Sequence, residues 1–228
     1  MNIFDDNKIS LGFSEKEDFS MKGNLENKKK FLAKNSLSDV FVVTASLMHE
    51  SRVVEVAKVS QDQVIDNCDA LITKQKGVAL TVTAADCLAL YFYDPVKEII
   101  GIAHAGWRGV LKNIAAEVIN SFVYDHQSNP QDIVVYFSPH IKVCHFEVAD
   151  DLVCEFDAKY IEKRDGRTFI NLETMVKNQL LQQGVESGNI KIDSECTHCE
   201  ESKYFSYRRD RKNLSDMETM LAYIVLKK

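Results

Sequence analysis

Proline is scarce in this chain, three residues in 228, and no low-complexity stretch or internal repeat is present. That excludes modules strung on Pro-rich or Gly/Ser-rich linkers and repeat arrays, so residues 1–228 are expected to form a single domain. No apolar run approaches the roughly 18 residues of a membrane span. The opening MNIFDDNKIS lacks a charged-then-apolar leader pattern, so a cytoplasmic protein with no membrane partner is expected. Positive charge is also short: 28 Lys and Arg against 34 Asp and Glu give a net charge of −6. The only basic blocks are Lys28-Lys29-Lys30 and Arg208-Arg209, which argues against a nucleic-acid partner. In a reducing compartment the six cysteines (68, 87, 144, 154, 196 and 199) are expected as thiols or metal ligands rather than disulfides.

What remains is an ordinary globular composition, 45% hydrophobic and 27% charged. Strand-like runs fall at Lys8 to Phe13, Asp39 to Ala45, Arg52 to Val59, Asp69 to Thr73 and Gly77 to Thr83. Glu26 to Asn35 suits a helix with Leu25, Phe31 and Leu32 on its buried face. Val110 to Tyr124 has helical spacing, closed by Asn129-Pro130, and a strand returns over Asp132 to Phe137. Helices are expected over Val148 to Tyr160 and Leu172 to Leu181, the second capped by Asn171 and stopped by Gly184. Met220 to Leu226 reads as a closing strand. Strands crowd the first half and helices are interspersed later, which predicts an α+β fold of β-sheets flanked by helices.

The densest chemistry lies between Thr81 and Gly109, TVTAADCLALYFYDPVKEIIGIAHAGWRG. Asp94-Pro95-Val96-Lys97 is a turn sequence joining two apolar runs, which predicts an antiparallel hairpin. A loop centred on Pro95-Val96 would set Tyr93 opposite Glu98 and Cys87 opposite His104, with Cβ atoms roughly 4.5–5.5 Å apart. With His49, at a strand end, the pair offers three donors of borderline softness, suited to zinc with an open fourth position; copper also satisfies the ligand type. Equally, Cys87 could be a small buried hydrophobe, and each histidine a hydrogen-bonded strand-end residue. Gly106-Trp107-Arg108-Gly109 could cradle an anion through Arg108, or be a tight strand-to-helix step with Trp107 in the core. Asp86 is a candidate for proton transfer or for orienting a ligand, or simply caps a turn.

Two further groups carry donors. Cys196-Thr197-His198-Cys199, with Cys144-His145, resembles half of a zinc ribbon, although a second closely spaced cysteine pair is missing. Tyr204-Phe205-Ser206-Tyr207-Arg208-Arg209 could stack on a planar ligand and hold an anion, or form a final strand.

LMHESRVVEV, TAADCLALYFYD, HAGWRG and ECTHC…YFSYRRD, in that chain order, resemble the purine nucleoside phosphorylase family long labelled laccase-domain or polyphenol oxidase proteins. The resemblance spans about Thr44 to Asp210. It implies a single α+β domain and a zinc site made by His49, Cys87 and His104. It also implies phosphorolysis of adenosine, inosine, guanosine or methylthioadenosine, and deamination of adenosine, with purine nucleosides and phosphate as partners. Asp86, Arg108 and Cys87 are then the expected catalytic groups, with copper-dependent phenol oxidation the weaker alternative. The chain keeps His49 but departs from the family pattern at its neighbours Leu47, Met48 and Glu50, and also at Phe13 to Glu17, at Ser138 to Lys142 and at Leu214 to Glu218. Two rival readings use the same residues: a cysteine hydrolase with Cys87 as nucleophile and His104 as base, and a non-catalytic zinc-binding protein.

Overall fold

A computed structural model of the chain describes residues 2–5, 7–211 and 217–228; part of the Leu214 to Glu218 departure therefore lies outside the described residues. Two six-stranded mixed sheets pack face to face. The first runs β1 (Asn2–Asp5), β2 (Ile9–Phe13), β15 (Met220–Leu226), β7 (Val78–Ala84), β3 (Phe41–Ala45), β5 (Gln63–Ile65). The second runs β14 (Ile190–Ile192), β10 (Val134–Phe137), β8 (Leu88–Asp94), β9 (Ile99–Ala105), β6 (Ala70–Thr73), β4 (Val53–Glu55). A small third sheet pairs β11 (Glu147–Val148) and β12 (Ile161–Arg164) with β13 (Arg167–Ile170).

Continuous apolar runs make sense because both faces of the central strands are covered. Along β8, Ala89, Tyr91 and Tyr93 pack between the sheets, while Leu88, Leu90 and Phe92 face the helices outside. Along β15, Ala222 and Ile224 point between the sheets, and Leu221 and Tyr223 meet Phe31 and Leu32 of α1 (Leu25–Lys34). On the opposite side, α3 (Ile114–His126) and α5 (Leu172–Gln182) lay Val118, Phe122, Val176 and Leu180 on the second sheet. The result is a helix–sheet–sheet–helix sandwich, the α+β architecture expected from the sequence. Each large apolar side chain so buried contributes ~1.5–3 kcal/mol.

Several local expectations are corrected. Residues 110–124 are not one helix: α2 (Trp107–Leu111) ends and α3 begins across Asn113, which sits in the left-handed region at φ 59°. Val148 to Tyr160 is not one helix: it opens on the last residue of β11 and continues through the short α4 (Asp150–Val153) to a 3₁₀ turn. It leads into a β12–β13 hairpin whose Asp165-Gly166 turn, φ 51° and 72°, is a sequence signal passed over. Leu25 is 45% exposed and does not belong to the buried face of α1. Residues 204–209 are not a strand; Ser206 caps the short helix α6 (Tyr207–Asp210) by accepting the Arg209 N–H at 3.2 Å.

The hairpin register also differs by two residues. His104 pairs with Ala89 and Tyr93 with Ile100, so Cys87 is not directly opposite His104. The loop is the four residues Pro95 to Glu98: Asp94 Oδ1 accepts the Val96 and Lys97 N–H groups at 2.8 and 2.9 Å, and Glu98 turns through φ 49°. A shift of two preserves the face, because side chains alternate with period two. Cys87 and His104 therefore still share the face between the sheets, as diagonal neighbours.

Candidate active site

Strands β3, β5 and β7 run parallel in the first sheet, and after each the chain crosses to the second sheet at the same end of the sandwich. The crossing after β3 carries His49, the one after β5 carries Asp69, and the one after β7 carries Asp86 and Cys87. Strand β9 ends there too, delivering His104 and then Gly106. Four separate stretches of sequence thus converge because the topology brings their strand ends together.

Gly106 measures the convergence. A Cβ built on it would lie 3.2 Å from Cys87 Sγ, 3.3 Å from His104 Cε1 and 3.4 Å from His49 Nδ1. Two imidazoles and a thiol surround one point, and only glycine leaves it free. The His49 and His104 rings meet edge-on with centroids 5.0 Å apart. His104 is buried, Cys87 half-buried and His49 exposed, so the donor set opens on one side. Imidazole and thiol are donor types that zinc and copper share. Gly109 allows α2 to approach the His49 loop: a Cβ there would stand 2.9 Å from the Glu50 carbonyl oxygen.

Asp69 organises this cluster and was missed by the sequence reading. Wholly buried, it accepts N–H groups from His49 at 2.9 Å, Glu50 at 2.9 Å and Met48 at 3.3 Å. Its Oδ1 also stands 3.4 Å from His104 Nδ1. One carboxylate therefore holds the His49 loop, with His49 itself at φ 59°, and fixes which nitrogen of His104 faces away from the donor cluster. The available signal was a carboxylate heading an otherwise apolar strand, a group that needs partners once buried. Burial works to raise the Asp69 carboxyl, but His104 and the backbone donors outweigh it and lower its pKa. Burial would lower the His104 imidazole; nearby Cys87 and Asp69 reverse this and raise it to about 9. His49 is lowered, chiefly by burial and by His104.

Asp86 turns the corner between the sheets at φ 81°. Its Oδ1 accepts Thr197 Oγ1–H at 2.6 Å; its Oδ2 accepts Ser206 Oγ–H at 2.9 Å and the Arg208 N–H at 2.7 Å. Both oxygens are occupied, so the group anchors the 197–208 segment beside Cys87. Glu50 turns outward to an ion pair with Lys112.

The donor cluster lies in a cleft of about 660 Å³, within the size of small-molecule sites. Three guanidinium groups line it, each against an aromatic ring. Arg108 sits 4.3 Å from the Trp107 centroid, Arg211 5.3 Å from Tyr207 and Arg208 5.8 Å from Phe146. Trp107 is half-buried and Arg108 exposed, so the step after His104 has features of both expected readings. The Tyr204 to Arg209 segment divides. Tyr204 is buried, and Arg209 donates to the Thr197, His198 and Tyr204 carbonyls; Tyr207 and Arg208 face the cleft. Phe146 and Arg211 escaped the sequence reading because neither belongs to a motif.

Among the described residues, the donor group whose ligand atoms all lie within 4.8 Å of one another, and which could hold a metal, is Cys144, His145, Cys196 and Cys199. No second cysteine pair is present in it; the adjacent Cys144 and His145 complete the group, and His198 is not one of its donors.

The chain as a whole resembles known proteins in sequence and fold. A family model described as multi-copper polyphenol oxidoreductase laccase matches residues 9–227. A purine nucleoside phosphorylase of Clostridium acetobutylicum is 30% identical over 221 residues, covering 94% of this chain and 92% of the relative. The adenosine deaminase RL5, from an unknown prokaryotic organism, is 29% identical over 157 residues, covering 65% of this chain and 60% of the relative. The crystal structure of the hypothetical protein YfiH of Bacillus licheniformis superposes with a TM-score of 0.85 at 29% identity, covering 96% of this chain and 93% of that one.

Proposed function

The chain belongs to the multi-copper polyphenol oxidoreductase laccase family, and on that premise we propose that its cleft performs zinc-dependent chemistry on purine nucleosides. The reactions are phosphorolysis of adenosine, inosine, guanosine or methylthioadenosine, and deamination of adenosine. The observation that carries this reading is the meeting of two features in one cleft: a three-donor cluster open on one side, and three guanidinium groups each beside an aromatic ring. Relatives that are purine nucleoside phosphorylases and an adenosine deaminase support the substrate class.

His49, Cys87 and His104 would hold the metal, with Asp69 fixing His104 and the His49 loop. The bound ion would supply Lewis acidity and an acidified water for attack on the purine. Arg108, Arg208 and Arg211 offer binding to phosphate, and in a chain of net charge −6 they make a local exception that favours an anion. The rings of Phe146, Tyr207 and Trp107 offer flat surfaces to a purine. Asp86, with three hydrogen bonds already on its carboxylate, acts by positioning Arg208 rather than by carrying a proton.

A second reading follows from the Cys87–His104 contact, which would also suit a thiol nucleophile and its base. Incubation with adenosine, with and without phosphate, followed by chromatography, separates these outcomes. Adenine with ribose 1-phosphate, or inosine, supports the proposal; none of them at high protein load overturns it. Metal bound stoichiometrically at Cys87 removes the thiol-nucleophile reading.

A further inference from the structure

The loop after β10 and the turn after β14 meet beside the cleft but outside its lining. Cys144 Sγ lies 3.7 Å from Cys196 Sγ and 3.8 Å from Cys199 Sγ. His145 Nδ1 lies 3.2 Å from Cys144 Sγ and 3.4 Å from Cys199 Sγ. A tetrahedral zinc with Zn–S of about 2.3 Å and Zn–N of about 2.0–2.1 Å has edges of about 3.8 Å between sulfurs and about 3.5 Å between sulfur and nitrogen. The observed spacings are close to those edges. They are far longer than a disulfide, about 2.05 Å between sulfurs.

The surroundings of Cys196 point the same way. The backbone N–H of Lys142 donates to its sulfur at 3.4 Å, and those of His198 and Cys199 also point at it. Inward-turned amides of this kind stabilise a thiolate, the form in which cysteine binds metal. Three thiolates and one imidazole fill a tetrahedral shell, leaving no position for substrate.

We propose that Cys144, His145, Cys196 and Cys199 form a second, closed zinc site that fastens one wall of the cleft. The structure shows what it would fasten. His145 precedes Phe146, a cleft wall residue, and Thr197, between two of the ligands, donates to Asp86. Arg209, next to Arg208, donates to the Thr197 and His198 carbonyls. The bridge between His140 and Cys196, with Thr197 N–H on the His140 carbonyl at 3.1 Å, already joins the two segments; the ion would lock the rest. This site uses none of the residues of the His49 cluster, so it stands or falls separately.

The test is a metal count by mass spectrometry on protein saturated with zinc and freed of excess, paired with cobalt substitution. Wild type is expected to hold two ions, Cys199→Ser one and His104→Ala one. Cobalt in His104→Ala should retain the charge-transfer intensity of three thiolates. A single ion in wild type, removed by His104→Ala and kept by Cys199→Ser, overturns the proposal. So does a Cys144–Cys196 disulfide in protein isolated without reductant. Should Cys199→Ser fail to fold, the spectrum of His104→Ala decides: loss of all thiolate-to-cobalt intensity refutes the second site.

Discussion

Replacing Asp69 by asparagine tests whether one buried carboxylate assembles the donor cluster. Four groups converge on its two oxygens: the N–H groups of Met48, His49 and Glu50, and the His104 ring. Asparagine keeps the size but has one accepting oxygen, and its NH₂ must then face an N–H of the His49 loop. Hydrogen bonds to a charged group contribute about 1.5–3 kcal/mol each, and an unmatched buried donor costs about 1–3 kcal/mol. Losing the charge and mismatching at least one donor should therefore destabilise the fold by about 3–5 kcal/mol. Most domains have about 5–15 kcal/mol to lose, so the variant should fold with reduced margin. Zinc affinity should fall by about 10–100-fold, the usual effect of removing a partner that orients a liganding imidazole. Urea unfolding reads the first quantity, and competition with a chromophoric chelator reads the second. A stability loss below ~1 kcal/mol together with unchanged zinc affinity would refute the assignment of Asp69 as organiser.

Three further outcomes follow from particular side chains. Gly109→Ala puts a Cβ 2.9 Å from the Glu50 carbonyl oxygen, a backbone atom. The His49 loop must move, with a loss of about 1–3 kcal/mol in urea unfolding and weaker zinc binding. Glu173 is held at about 2 against an ordinary 4.5: burial would raise it, but His140 and Lys142 outweigh that effect. Its contribution, about 2–3 kcal/mol, is present above pH 4.5 and lost as pH falls toward 2. Glu173→Gln should therefore lower stability at neutral pH, with the gap to wild type closing in acid. Lys28 is buried, donates to Thr44 Oγ1 at 3.1 Å and is lowered by burial to about 8 from 10.5. Its charging penalty is full below pH 8 and vanishes above 10.5. Lys28→Met should raise stability at neutral pH by about 1–3 kcal/mol, an advantage that shrinks over that alkaline range; no gain in melting temperature would contradict it.

The sequence revealed the sandwich chiefly through its apolar runs. Strands such as β8 and β15 are buried on both faces, and continuous apolar runs announce that without saying which sheet they join. Membership depends on crossings, and these are short polar stretches with little pattern: the β3–β4 crossing containing His49 reads as an ordinary loop. The contact between Cys87 and His104 survived a wrong register because the error was an even number of residues. The helix break at Asn113 was hidden because apolar spacing continues across it. Asp69 was hidden for a different reason, since its role depends on three amides of a loop twenty residues earlier. The Cys144 to Cys199 group was legible as a set of donors; which of two histidines joins the cysteines was not, because His145 and His198 both lie beside a ligand in sequence.

The central claim, zinc-dependent chemistry on purine nucleosides at His49, Cys87 and His104, is tested most directly by titrating metal-stripped protein with zinc while following adenosine with phosphate by chromatography. Product, as adenine or inosine, should rise with added zinc and level off as the cluster fills, while His104→Ala stays flat throughout. Turnover that ignores zinc, or a His104→Ala variant that matches wild type, would contradict the account.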